Sequence, residues 1–140
     1  MPLFRLNHRR LVMPLLILGV AAALGLWSTK NDAQKMADVQ HHIQQLCEDA
    51  APGRLPADRL NNSNATVAEQ TVAAIKEACD SAGSIANLTV AVTPGDIAQI
   101  GRGQATHTAM IRVNGRDVLG LRVHYPQRGT PIEILGYWRP

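Results

Sequence analysis

The sequence predicts an α+β domain behind an N-terminal transmembrane helix, with two helices packed on a curved antiparallel sheet of about four strands. Three observations lead to this class. An uncharged apolar run follows a short basic tail. Two later segments repeat their apolar residues every three or four positions, as an amphipathic helix does. After Gly83 the repeat changes to every second position, with turn signals between successive runs. The 140 residues suffice for one small domain plus an appendage. They divide into a cytoplasmic tail over 1–10, a membrane helix over 11–29 and an exported domain over 30–140.

The apolar run is LVMPLLILGVAAALGLW, from Leu11 to Trp27. At about 1.5 Å per residue it spans roughly 25 Å, near the lower limit for crossing a bilayer. Pro14 lies near its start, where a missing N–H costs least, and Trp27 stands where an interfacial aromatic is expected. Arg5, Arg9 and Arg10 precede the run, and only Lys30 follows it closely. The positive-inside rule therefore places the N-terminus in the cytoplasm and the domain in the periplasm, anchored in a bacterial inner membrane. The alternative is a cleaved leader with Ala21-Ala22-Ala23 as the small-residue site, which would release a periplasmic or secreted domain. Leu24-Gly25-Leu26-Trp27 continues the apolar run past that site and favours the uncleaved anchor.

Charge narrows the partners. Three of the 14 basic residues lie before residue 11, and the other 11 balance the 11 acids. The exported domain is thus formally neutral, without the clustered basic footprint that nucleic-acid binding needs. Aromatics are only 4% of the chain, which also leaves little for base stacking.

Within the domain, Met36, Val39, Ile43, Leu46 and Ala50 form one helical stripe over Asp32 to about Asp49, and Pro52-Gly53 ends it. The segment 51–65 is rich in Pro, Asn, Asp and Ser and predicts a loop. Thr66 and Glu69 have capping-box spacing, and Ala68, Val72, Ile75 and Cys79 make the stripe of a second helix that stops at Gly83. Leu88, Val90 and Val92 alternate with polar or small residues in a first strand. Strands over 105–113, 116–125 and 131–138 follow, the first pair joined by Asn114-Gly115, a type I′ hairpin signal.

A two-residue turn sets Arg112 opposite Asp117, Met110 opposite Leu119 and Thr108 opposite Leu121. A four-residue turn over Pro126–Gly129 sets Val123 opposite Ile132 and Leu121 opposite Ile134. This register places His107, Ala109, Gly120, Arg122, His124, Glu133, Leu135 and Tyr137 together on the face away from the helices. Small residues lie at its centre, so that face is a candidate binding groove.

Cys47 and Cys79, near the ends of the two helices, are expected to form a disulfide in an oxidising compartment. Closing that loop would stabilise the fold by about 3 kcal/mol. His107 and His124 with Glu133 make a conceivable ligand set, but Arg122 among them repels a cation, so an Arg122–Glu133 ion pair is expected and no metal. His107 or His124 as base with Tyr137 as donor would need a water-poor pocket. No nucleophile elbow, P-loop or His-Glu-x-x-His occurs. No cofactor is expected and catalysis is not favoured.

The order of helices, then antiparallel strands ending in Ile134-Leu135-Gly136-Tyr137-Trp138, resembles cystatin-like or NTF2-like (nuclear transport factor 2) domains over residues 32–140. The resemblance implies a curved sheet behind N-terminal helices. Its family includes isomerases, dehydratases, non-catalytic modules and the exported domains of VirB8-type secretion subunits, which share a short tail and one membrane helix but are longer. The expected function is a single-pass envelope protein whose periplasmic domain binds a partner protein, as an assembly or accessory subunit, with a homo-oligomer as a further arrangement. The alternative is an exported small-ligand binder or minor enzyme that uses the groove.

Overall fold

The computed structural model describes residues 30–95 and 104–140. The predicted membrane helix, its basic tail and residues 96–103 lie outside the described residues. Residues Lys35–Pro140 form one compact unit. No helix among the described residues is long and apolar enough to cross a membrane.

Helix α1 covers residues 30–50, and α2 spans Ala65–Ala82. Strands β1 (Leu88–Pro94), β2 (His107–Val113), β3 (Arg116–His124) and β4 (Glu133–Trp138) form one antiparallel sheet in sequence order. The described residues are therefore α+β, with two α-helices and four antiparallel strands.

Both helical stripes are buried. Val39, Ile43, Leu46, Cys47 and Ala50 of α1 join Ala68, Ala74, Ile75, Ala78, Cys79 and Ala82 of α2 in one core with the inner face of the sheet. On α2 the small residues allow close approach, and Thr71 is fully buried with its hydroxyl donating to the Val67 carbonyl at 2.7 Å. Between the helices the loop is only partly irregular. A 3₁₀ turn over Ala57–Leu60 buries Leu60, and Leu55 is buried just before it.

The cap of α2 differs from the predicted one. Asn64, not Thr66, is the N-cap, and its Oδ1 accepts from the Val67 N–H at 3.2 Å. Asn64 also has the extended backbone a cap requires, so the helix begins one residue before Thr66. Gly83 ends α2 with φ +69°, as its position predicted. Asn114 and Gly115 both have positive φ, which gives the twist that a two-residue hairpin needs.

Two bulges set the faces of the sheet, and neither follows from turn lengths. Arg112 pairs with Asp117 as predicted, but Ile111 then pairs with Leu119, so Val118 is an extra residue on β3. Every pair beyond it shifts by one: Met110 faces Gly120, and Ala109 faces Leu121. The second bulge, between Arg122 and Val123, makes Leu135 the extra residue of β4. Val123 pairs with Ile134, not Ile132, because β3 ends at His124 and β4 begins at Glu133, a longer connection than the expected four residues.

Candidate functional site

The predicted groove residues do not share one face. His107 and Ala109 lie on the core side, 8% and 0% exposed, beside the inward-facing Leu121 and Val123. The physical reason is the Val118 bulge: a one-residue shift sends every side chain of β2 to the opposite face. Tyr137 also leaves the predicted face, because the Leu135 bulge pairs it with Leu121 and packs it against the core. Gly120, Arg122, His124 and Glu133 remain on the outer face, and Leu135 lines a cavity with Arg122.

In their place the outer face gains Met110 and Trp138, which the sequence-based register had missed. Ala91, Met110, Gly120 and Trp138 stand opposite one another across all four strands. Ala91, Met110 and Trp138 are half-buried. Gly120 is covered because the Trp138 indole lies across it: a Cβ there would stand 2.2 Å from Cε2 of the ring. The shallow centre predicted at Gly120 is thus filled by the protein's own tryptophan.

Polar rows flank this apolar one. On one side run Thr89, Arg112 and Asp117, with Arg112 Nε 2.7 Å from Asp117 Oδ1. On the other run Thr93, Thr108, Arg122 and Gly136, where the two threonine hydroxyls are 3.2 Å apart. The Arg122 guanidinium lies over Gly136, whose Cβ would stand 2.8 Å from Nη2. Arg122 therefore takes the space that a glycine leaves, and the expected Arg122–Glu133 ion pair is not formed. Beyond this row His124 pairs with Glu133, and its Nδ1 donates to the Gln104 carbonyl at 3.2 Å. A cavity of about 240 Å³ lies between Arg122, Leu135, Gln104 and Ala105.

The histidines are dispersed. His107 faces inward and His124 outward, which separates the conceivable metal ligands, and Tyr137 lies on the core side with His107 and away from His124. Among the described residues no group of three His, Cys, Asp or Glu side chains is placed to hold a metal ion. His107 belongs instead to a buried polar network. Thr106 Oγ1 lies 2.9 Å from its Nδ1 and 3.3 Å from the Val123 carbonyl, and accepts from the Tyr125 N–H at 2.7 Å. The Tyr125 hydroxyl donates to Asp38 Oδ2 at 2.8 Å, tying α1 to the end of β3. Burial and this bond to a carboxylate push the Tyr125 hydroxyl above its usual pKa. His42 is pushed the other way, by burial first and then by the nearby Arg59 and His41.

Cys47 and Cys79 are both buried free thiols, and both line one small cavity. The neighbouring Cys79 thiol and burial push the Cys47 thiol far above its ordinary range.

Both edges of the sheet carry side-chain covers. Gln40 Nε2 donates to the Val90 carbonyl on the β1 edge at 3.0 Å. On the β4 side Asn61 donates to the Ile132 carbonyl at 3.1 Å, and Asn62 donates to those of Ile134 and Leu135 at 3.0 and 3.3 Å. Such amides occupy groups that another strand would pair with.

Comparison of the chain with protein-family models, curated proteins and solved structures finds no match.

Proposed function

We propose that this chain is a membrane-anchored envelope protein whose domain binds a partner protein through the outer face of its sheet. The observation that carries the reading is the apolar row Ala91, Met110, Gly120 and Trp138, set between two polar rows on the face away from the helices. A half-exposed tryptophan and methionine beside arginine and threonine have the make-up of an interface centre with a polar rim. The filling of the Gly120 position by the indole favours a protein surface over a small-ligand groove there. The covered edges favour contact by side chains over addition of a strand. The anchor part of the reading rests on the apolar run Leu11 to Trp27 and its arginine flank.

Cross-linking in cells, followed by detergent extraction and mass spectrometry of what co-purifies, tests the reading. A distinct envelope protein recovered with the wild-type chain and lost with Met110→Asp supports it. Recovery of the chain alone, or of the same protein in equal yield with Met110→Asp, overturns it.

A further inference from the structure

We propose that Cys47 and Cys79 form a thiol–disulfide exchange site, in which Cys79 receives the sulfur of a low-molecular-weight organic disulfide and Cys47 resolves it. Cys47 lies in the last turn of α1 and Cys79 in the last turn of α2, so the core brings together two residues 32 positions apart in sequence. The two cysteines are neighbours at the helix ends and line the same cavity. They are not equivalent. Cys47 is 1% exposed and Cys79 is 9% exposed. A cavity of about 60 Å³ is lined by both cysteines together with Ala51, Gly83, Ser84 and Ile85. Ile85 is 53% exposed and is the large hydrophobic residue that the described chain leaves most open to solvent. Gly83 leaves open space around its Cα, with no atom within 4 Å of where a Cβ would stand.

These features define an approach. The cavity admits the sulfur end of a disulfide, and the rest of the molecule rests on Ile85 and the Gly83–Ser84 turn. The more exposed cysteine is reached first. The Cys79 thiolate attacks one sulfur of the disulfide, forms a mixed disulfide and expels one thiolate, which takes a proton from water. Cys47 then loses its proton to solvent and attacks the Cys79 sulfur, forming the Cys47–Cys79 bond and expelling the second thiolate. Two protein thiols and one organic disulfide give one protein disulfide and two small thiols. The raised pKa of Cys47 fits the order, since the buried member is the poorer first nucleophile. The proposal does not depend on the outer face of the sheet or on any partner.

The test uses the reduced full-length chain with oxidised glutathione, acid quenching and peptide mass mapping. The wild type is expected to pass through a single adduct on Cys79 and to end with two thiols lost and no adduct. Cys47→Ala should stop at the Cys79 adduct, and Cys79→Ala should react about tenfold more slowly. In denaturant both cysteines should react alike, which ties the difference to the fold. Adduct forming first on Cys47, or folded wild type that keeps both thiols while denatured chain oxidises, overturns the proposal. Mapping of the wild-type intermediate decides the order even where a cysteine variant fails to fold.

Discussion

His42 shows how one side chain can carry a pH dependence. Its Nε2 is buried without a hydrogen-bond partner among the described residues, and Arg59 and His41 stand near it. Burial and these charges hold its pKa below the unfolded value of about 6.5. The folded chain therefore resists a proton that the unfolded chain accepts. Its contribution to stability is complete above pH about 6.5 and declines as the pH falls below that value. Urea midpoints at pH 7.5 and 5.5 should differ more for the wild type than for His42→Phe, and an equal difference would refute the assignment. Gly120 makes a second prediction. A methyl group there meets the Trp138 indole, so Gly120→Ala should expel the ring or lower stability by about 1–3 kcal/mol. In a Trp27→Phe background the emission of Trp138 should shift to the red, and unchanged emission with unchanged stability would place the ring elsewhere.

Secondary-structure elements are held by a few polar contacts at their ends. Asn64 satisfies the Val67 N–H at the start of α2, and Asn64→Ala should cost about 1 kcal/mol, measured by chemical denaturation. Thr66→Ala should cost less, because Thr66 is not the cap. The elements themselves were legible in the sequence. Ile43 and Leu46 mark the inner side of α1, Gly83 marks the end of α2, and Asn114-Gly115 fixes the β2–β3 turn. The faces of β2 and the end of β4 were not legible. Alternation predicts a face only while the ladder is regular, and Val118 and Leu135 each interrupt it. Val118 turns toward a cavity of about 310 Å³ shared with Ala74, Ala78 and Arg139, so tertiary packing and not a local turn signal determines where it goes. One unrecognised bulge was enough to exchange Met110 for His107 and Ala109 on the candidate surface.

For the molecule as a whole, the two helices and the inner face of the sheet make one core, and the outer face is left to side chains of the strands. The cysteines cross-link the helical half of that core if oxidised. Because the bond would close the chain from residue 47 to residue 79, the oxidised domain should be more stable than the reduced one by about 3 kcal/mol, measured by urea unfolding with and without reductant. Equal stability in verified oxidised and reduced samples would mean that the bond strains the native packing by as much as it restricts the unfolded chain. The partner-binding account makes its strongest demand on the opposite side of the molecule. The most direct measurement places a photo-cross-linking residue at Met110 on the outer face, and separately at the exposed Glu69 on α2, in cells. The account predicts a discrete adduct with a second envelope protein from position 110 and none from position 69. The same adducts from both positions, or an adduct from position 69 alone, would contradict it.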